Sequence, residues 1–225
     1  MSRQSESHSD TNECYLMLSK VSHEIRNPVT LINSFLQLLV NNHPELREDS
    51  YYLKIEENMD YLKALLDELS TYNHSHTADT EELNPYLLLQ NITASAGTLL
   101  EQRGIDLQLS KESAIPRIPL DRTKFHQLIS NLIRNASEAM PDGGTIRIAV
   151  SCDGETVSIT VQDTGCGIPK EYLPTLFDLF VTHKKNGTGL GLAICREIAE
   201  AHRGSISVTS EPGQGSVFTV TLPVA

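Results

Sequence analysis

Two stretches in the first third of the chain place apolar residues three or four positions apart, which is the spacing of a helix with one buried stripe. The first stretch runs from Leu18 to Leu39 and the second from Tyr52 to Leu69, with the polar sequence NNHPELRED between them. A short polar break between two such helices predicts an antiparallel helical hairpin. The apolar positions are Leu18, Val21, Ile25, Val29, Ile32, Leu36 and Leu39 in the first stretch, and Tyr52, Ile55, Met59, Leu62, Leu66 and Leu69 in the second.

The predicted hairpin has only one narrow apolar stripe on each helix. Two copies of the hairpin would cover both stripes by closing a four-helix bundle, so the sequence predicts a homodimer. We expect residues 1–12, which are polar, to form a flexible lead. The hairpin is predicted to span 13–77, and the polar sequence YNHSHTADTEELN to link it to the rest of the chain.

From residue 78 to 225 the helical period gives way to a mixture of helices and alternating strands. Helices are predicted up to Gly104, after the capping residue Asp121, and up to Gly204. Strands are predicted at IDLQLS, TIRIAVS, TVSITVQD, SISVTS and GSVFTVTLP. Since most strands follow one another directly, without a βαβ rhythm, we expect an α+β layered sandwich.

The composition narrows the classes of function. The chain carries 18 Lys and Arg against 29 Asp and Glu, a formal net charge of −11, which argues against a general nucleic-acid-binding protein. No apolar run approaches the roughly 18–20 residues that cross a bilayer, so we expect no membrane span in this chain. The four cysteines lack the CxxC spacing of zinc or redox sites, which indicates free thiols in a reducing cytoplasm.

The sequence SHEIRNP in the first helix combines a histidine with a helix-breaking residue. His23 is predicted to lie on the polar face, roughly 150° from the centre of the apolar stripe, and Asn27 follows it on that face. Pro28 removes one backbone hydrogen bond and crowds the carbonyl of Glu24, a defect that costs about 3 kcal/mol. By itself this pattern leaves open whether His23 has a function or is an ordinary exposed histidine.

Three further motifs, each weak alone, follow in the second half of the chain. NLIRN places Asn131 and Asn135 on one helix face, where amide oxygens can share a Mg²⁺ ion with phosphates or simply face solvent. DTGCGI places Asp163 where a strand ends, which suits either an acceptor for an exocyclic amine such as that of adenine or a plain turn. NGTGLGLAI leads glycines into a helix start, which suits an anion but is not a Walker loop.

Taken in order, SHEIRNP, NLIRNASEA, DTGCGI and FDLFVTHKKNGTGLGLAI resemble the transmitter core of a two-component sensor histidine kinase, over about residues 13–225. The form HEIRNP, with NLIRNASEA and a short lid, resembles the nitrogen-regulation and sporulation kinase subgroup. The resemblance implies a dimerising phosphotransfer hairpin at 13–77. It also implies an α/β-sandwich ATP-binding domain of the Bergerat type at 78–225, like that of gyrase and the heat-shock ATPase chaperones.

The resemblance also implies roles for individual residues. His23 matches the phosphoacceptor, Glu24 the acid that orients or deprotonates its ring, and Asn27 the residue that aligns water for regulator dephosphorylation. Asn135 and Asn131 match Mg²⁺ ligands, and Asp163 matches the acceptor for the adenine amine. The implied nucleotide-binding residues are Asn131, Arg134, Asn135, Asp163, Gly165, Gly167, Lys184, Lys185, Gly187, Thr188, Gly189, Leu190 and Gly191, with Phe177 and Phe180 beside a mobile lid at about 169–186.

The implied activity is autophosphorylation of His23 from ATP and Mg²⁺, followed by transfer to an aspartate of a response regulator receiver domain, with phosphatase activity toward that regulator. We expect a cytoplasmic protein. Since no sensor domain precedes the hairpin, we expect either a kinase controlled by a separate sensory partner or an excised core. Two alternatives stay open: a related ATPase or protein serine kinase, and a dimeric scaffold with an inactive nucleotide fold.

Overall fold

A computed structural model describes residues 3–184 and 187–224, with side chains from residue 21 onward except that of residue 23. Contacts divide the chain into two units. The first runs to His74 and includes Thr182–Leu190, and the second comprises Ser75–Val181 and the chain from Gly191 onward. None of the helices in the described part of the chain combines the length and apolar character needed to cross a bilayer.

The first unit contains the predicted antiparallel hairpin. Helix α1 spans Arg3–Asn42 and helix α2 spans Ser50–Ser75, and a 3-10 turn at Pro44–Glu48 joins them. Helix α1 starts earlier than expected, since it includes most of the stretch predicted as a flexible lead. Residues 3–12 contain neither Gly nor Pro, so the helix can propagate through them at little cost per residue.

The apolar stripe on the hairpin is divided between two directions. Val29, Met59 and Leu66 form a buried cluster between the helices, and Leu36 packs against it. Three other stripe positions on α1 are exposed, at 44% for Ile25, 48% for Ile32 and 44% for Leu39. One hairpin therefore covers only part of its own stripe. Val29 and Leu36 face α2, whereas the alternate positions Ile25, Ile32 and Leu39 face outward.

The second unit is an α+β domain, as predicted. Its strands are β1 Glu81–Leu83, β2 Ile105–Lys111, β3 Ile118–Leu120, β4 Gly144–Cys152, β5 Thr156–Asp163, β6 Ser205–Glu211 and β7 Gly215–Pro223. They form a five-stranded sheet with the order β2-β4-β5-β7-β6 and a separate two-stranded sheet of β1 and β3. The helices are α3 Pro85–Gln102, α4 Arg122–Glu138 and α5 Gly191–Ala201.

The core of this domain lies between the large sheet and its helices. Alternate residues of β4 and β5 are buried, which is the period of a strand with one covered face. Helix α4 contributes a continuous buried face to the same core. The buried residues are Ile146, Ile148, Val150, Val157, Ile159 and Val161 on the strands, and Phe125, Leu128, Ile129, Leu132, Ile133 and Ala136 on α4.

Two features of the topology differ from the sequence prediction. Strands β2 and β4 pair in parallel, whereas the other neighbours in the large sheet are antiparallel. The sequence did not predict this single parallel pair, in which the chain leaves β2 and returns to β4 through β3 and α4. Strands β1 and β3 were missed, since three residues are too short to show a period and their partners lie far apart in sequence.

Candidate functional site

Helix α4, which carries the predicted metal ligands, begins at a well-bonded cap. The Asp121 carboxylate accepts hydrogen bonds from the backbone N–H groups of Thr123 (3.0 Å), Lys124 (3.1 Å) and Asp79 (3.1 Å). Burial alone would raise the pKa of Asp121, but these hydrogen bonds and the Lys124 charge lower it below its ordinary value. The predicted cap is therefore confirmed, and it fixes where α4 starts.

A buried histidine ties the end of α5 to this cap. His202 is 7% exposed. Its Nε2 accepts the Asp121 backbone N–H at 2.9 Å, and its Nδ1 lies 2.7 Å from the Ile198 carbonyl oxygen. Since one ring nitrogen accepts and the other faces a carbonyl, this arrangement requires the neutral imidazole with its proton on Nδ1. No motif in the sequence pointed to His202.

Two predicted nucleotide-binding residues of α4 lie against the first turn of α5, and a third lies on the same helix face. The Asn131 Nδ2 donates to the Gly191 carbonyl oxygen at 3.3 Å. The Arg134 guanidinium lies 3.2 Å from where a Cβ on Gly191 would be. Asn135 follows one turn further along α4 and is half-buried. Side chains one turn apart share a helix face, so α4 presents two amides and a cation on one face, and Asn131 and Arg134 lie at the start of α5.

Beneath this face, Cys195 of α5 is fully buried. Its thiol donates to the Leu128 carbonyl oxygen at 3.7 Å. Burial raises the pKa of the Cys195 thiol to about 12, although a hydrogen bond from Asn131 and the charge of Arg134 act in the opposite direction. Cys195 is therefore a neutral thiol near pH 7 and contributes packing rather than nucleophilic chemistry.

Asp163 ends β5 and is 3% exposed. Its Oδ1 accepts the Gly165 N–H at 2.8 Å. The Cys166 N–H donates to the Ala139 carbonyl oxygen at 3.1 Å, and the Cys166 carbonyl accepts the Gly213 N–H at 2.8 Å. The loop after Asp163 is thus held between the end of α4 and the β6–β7 turn. A buried carboxylate placed in this way can accept a hydrogen bond from a base.

The glycines of this loop are required by close packing of the protein backbone. A Cβ on Gly165 would lie 2.6 Å from the Ala139 carbonyl oxygen, and one on Gly167 would overlap the carbonyl oxygen of Glu211. Gly167 also has a φ of +67°, which L side chains rarely adopt. In both cases the nearest atom is a carbonyl oxygen of the neighbouring backbone.

The glycine-rich turn lies within Thr182–Leu190, which belongs to the first unit. The Gly187 N–H donates to the Lys184 carbonyl oxygen at 3.2 Å. The Leu190 N–H donates to the Thr188 hydroxyl at 3.4 Å, and Gly189 has a φ of +72°. Lys184 is exposed, and Lys185 lies outside the described residues.

The predicted lid contains both phenylalanines expected there. Phe177 is half-buried, whereas Phe180 is 53% exposed and has a φ of +62°. A positive φ on a bulky residue costs free energy. The lid is tied to α5 by an ion pair between Asp178 Oδ1 and Arg196 Nη1 at 3.7 Å.

On α1, the predicted phosphoacceptor motif lies on a continuous helix. Glu24 and Asn27 are exposed, whereas the side chain of His23 lies outside the described ones. Arg26, to which the sequence assigned no role, holds α1 to α2. Its Nη1 pairs with the Asp67 carboxylate at 2.7 Å, and its Nη2 donates to a backbone carbonyl of α2 at 3.1 Å. This clamp lies one turn after His23.

Comparisons with known proteins agree with this architecture. Residues 16–76 match the model of the His Kinase A (phospho-acceptor) domain. Residues 120–225 match the model of the histidine kinase-, DNA gyrase B- and HSP90-like ATPase family. Sporulation kinase A of Bacillus subtilis (strain 168) is 37% identical over 205 residues, which cover 90% of this chain and 33% of that protein.

Solved structures of histidine kinases are similar along most of the chain. Full-length ShkA in complex with AMPPNP gives a TM-score of 0.76 at 27% identity, covering 93% of this chain and 46% of ShkA. ThkA, solved in complex with the response regulator protein TrrA, gives 0.69 at 28% identity, covering 99% of this chain and 64% of that chain. The chain spans about a quarter to a half of the curated relatives it matches. Its hairpin, its ATPase-type domain and these relatives together establish that the chain belongs to the sensor histidine kinases, as their transmitter core.

Proposed function

We propose that this chain is an ATP-dependent protein histidine kinase, in which His23 receives the γ-phosphoryl group of ATP and passes it to an aspartate of a response regulator. The observation that carries the proposal is the buried Asp163 carboxylate at the end of β5, held by its own loop in a domain of the ATPase family. The phosphoacceptor-type hairpin lies on the same chain.

In the proposed reaction, an imidazole nitrogen of His23, expected to be Nε2, attacks the γ-phosphorus in line with the leaving oxygen. The N–P bond forms as the bond to the β–γ bridging oxygen breaks, and ADP leaves. Glu24 orients the imidazole of His23 or accepts the proton on its other nitrogen. This role suits an imidazole, because the ordinary pKa of histidine is about 6.5. We also propose that Asn27 aligns a water molecule when the phosphorylated regulator is hydrolysed.

The donor set on α4 fits a magnesium nucleotide. Amide oxygens are ligands that Mg²⁺ accepts, and the proposed ligands are Asn135 and Asn131. The Asn131 Nδ2 donates a hydrogen bond to the Gly191 carbonyl oxygen. This hydrogen bond orients the amide, and the amide oxygen remains as the proposed ligand. Bound Mg²⁺ would neutralise phosphate charge during transfer. Arg134, Lys184 and Lys185 are proposed to add positive charge there.

The glycine-rich turn and the loop after β5 complete the proposed nucleotide site. Backbone N–H groups in such a turn, ahead of a helix, suit phosphate oxygens. We propose that Asp163 binds the adenine amine. The proposed turn residues are Gly187, Thr188, Gly189, Leu190 and Gly191, and the proposed base-loop residues are Gly165 and Gly167.

We propose a homodimer formed through the hairpin. The exposed stripe of Ile25, Ile32 and Leu39 repeats every seven residues, and Ile55 and Leu62 of α2 are 46% and 38% exposed at the same spacing. Exposed heptad positions of this kind are covered in four-helix bundles. Analytical ultracentrifugation should therefore give twice the monomer mass, and Ile32→Asp should give the monomer.

A second apolar patch on α1 suits the receiver domain. Leu31, Phe35 and Leu38 are 57%, 61% and 55% exposed. Relative to Ile32 they lie about 60–120° around the helix, away from α2. We propose that a regulator docks on this patch, downstream of His23. Phe35→Ala should slow phosphoryl transfer at least tenfold without slowing autophosphorylation, whereas Leu99→Ala, an equally exposed leucine of α3, should change neither.

We further propose a cytoplasmic location and control by a sensory partner or segment. The described cysteines Cys152, Cys166 and Cys195 are free thiols, which suits a reducing compartment.

The proposed kinase activity is tested by incubating the protein with Mg²⁺ and γ-labelled ATP. Wild type should take up label that is lost in acid and retained in base. His23→Gln and Asn135→Ala should take up none. His43→Gln is the matched control, because His43 lies in the exposed turn of the same hairpin, and it should label like wild type.

Other outcomes would decide for the alternatives. Acid-stable label would indicate a protein serine kinase, and steady release of phosphate without label would indicate an ATPase. A folded wild type that binds ATP yet takes up no label would contradict the proposal and favour a scaffold.

A further inference from the structure

The interior of the hairpin changes from apolar to polar toward the end that carries His23. Between α1 and α2, the buried cluster is apolar, with Val29, Met59 and Leu66 exposed by only 7%, 6% and 5%. Along α2, Met59 and Leu66 are seven residues apart, which is the heptad period of a helix pair. The next step in this period therefore identifies the next layer of the core.

The heptad period assigns Ser22 and Asn73 to that next layer. The Arg26 Nη2 donates to the Leu66 carbonyl oxygen at 3.1 Å, which fixes how the two helices are aligned at this end. The helices are antiparallel. A step of seven residues toward the N-terminus from Val29 therefore reaches the same level of the hairpin as a step of seven residues toward the C-terminus from Leu66. Those steps reach Ser22 on α1, immediately before His23, and Asn73 on α2.

Both residues of the layer are buried. Ser22 is 2% exposed and Asn73 is 5% exposed. Among the residues that the structure describes, neither the nitrogen nor the oxygen of the Asn73 amide has a hydrogen-bond partner. A buried amide without partners destabilises the packing around it, so this layer holds the helices together less strongly than the apolar cluster does.

A second weakness lies close by on α1. Pro28 stands inside the helix and has no N–H to donate to the Glu24 carbonyl. The turn that contains His23 thus has a polar core layer on one side and a missing backbone hydrogen bond on the other. Local opening of a helix is easiest where buried apolar contacts and hydrogen bonds are fewest.

We propose that the Ser22–Asn73 layer is a built-in weak point in the hairpin core, which lets the segment around His23 change its packing, and that Asn73 is a positioning residue for phosphorylation of His23. The second part rests on the proposed function. The first part concerns the hairpin alone and can be tested without any kinase activity.

The test replaces the polar layer with apolar side chains in the full chain. Asn73→Leu changes the layer from α2, and Ser22→Val changes it from α1. Asn58→Leu is the matched control, because Asn58 is an exposed residue of the same helix α2, and its amide donates to the Lys54 carbonyl oxygen within that helix. Amide hydrogen exchange over residues 18–28 and the initial rate of His23 labelling from Mg²⁺ and ATP are measured, with nucleotide affinity as a check.

We expect hydrogen exchange in this segment to slow about tenfold in both layer variants and to stay unchanged in Asn58→Leu. We expect labelling to slow about tenfold at unchanged nucleotide affinity. Unchanged exchange in both folded layer variants would overturn the weak point. Slower exchange with unchanged labelling would overturn the positioning role of Asn73. If wild type takes up no label, the kinase proposal and the positioning role both fail, and exchange alone decides the weak point.

Discussion

Replacing Asp163 with asparagine isolates the charge and the acceptor character of the proposed base-binding carboxylate. The two side chains have nearly the same shape, and asparagine keeps an Oδ1 that can accept the Gly165 N–H, which Asp163 accepts at 2.8 Å. The loop should therefore keep its conformation. The other side-chain oxygen, however, becomes an NH₂ group, which donates where the adenine amine also donates.

The expected loss of affinity follows from the burial of this group. Asp163 is 3% exposed, so solvent cannot compensate for the mismatch. A hydrogen bond to a charged acceptor contributes about 1.5–3 kcal/mol, and a buried donor left without an acceptor costs about 1–3 kcal/mol. These two contributions concern the same pair of groups and overlap, so we expect Asp163→Asn to weaken ATP binding by about 2–4 kcal/mol rather than by their full sum. At about 1.4 kcal/mol per tenfold, this is roughly 30- to 700-fold.

Isothermal titration calorimetry with a non-hydrolysable ATP analogue measures this directly, and circular dichroism confirms the fold. Asp153→Asn is the matched control, because Asp153 also accepts backbone N–H bonds, from Glu155 and Thr156, but in the exposed turn between β4 and β5. It should bind the analogue like wild type. A folded Asp163→Asn protein whose dissociation constant stays within threefold of wild type would refute the reasoning.

Three further outcomes are expected of the second unit. Asp121→Ala should lower the free energy of unfolding by about 1 kcal/mol at pH 7. The pKa of Asp121 in the folded protein lies below its ordinary value of 3.8. The whole stability difference should therefore be present above pH 3.8 and should disappear as the pH falls through the folded pKa. Urea unfolding at a series of pH values measures this difference. His202→Ala leaves the partly buried Asp121 N–H without its acceptor and should cost about 1–3 kcal/mol by thermal unfolding, whereas exposed His126→Ala should cost little. In native protein at pH 8, iodoacetamide should modify exposed Cys166 and spare Cys195, as peptide mass spectrometry would show.

Each of these expectations has a contrary result. A difference for Asp121→Ala that stays constant as the pH is lowered well below 3.8 would mean that the charge of its carboxylate does not matter. Equal stabilities of His202→Ala and His126→Ala would remove the role given to the imidazole. Modification of Cys195 as fast as Cys166 in folded protein would contradict its burial.

The local pattern of the sequence was sufficient for most of the helices and strands. The three- and four-residue steps predicted both hairpin helices, and alternation predicted the strands of the large sheet. Asp121 and the PDGG sequence marked the ends of α4. These features depend on residues close together in the chain, so the periods of 3.6 and 2 reveal them. Motif order then identified the family, because the spacing of those motifs is itself a property of the sequence.

The helical period could not decide which residues of the apolar stripe pack inside the hairpin and which remain exposed. Val29 packs inside the hairpin whereas Ile25 and Ile32 remain exposed, although all three belong to the same predicted stripe. A helical period defines one apolar arc, and only the position of the second helix divides that arc between an internal and an external contact. The buried polar layer at Ser22 and Asn73 was missed for the same reason.

The amino-acid sequence by itself determined the order of the helices and strands, the capped start of α4 and the family. Only the tertiary structure decided the parallel pairing of β2 with β4, the short β1–β3 sheet, and the contact of His202 with the cap at Asp121. These contacts join residues that are between 35 and 81 positions apart, and no local period encodes such a distance. They form because folding must bury the apolar faces together and give each buried donor an acceptor.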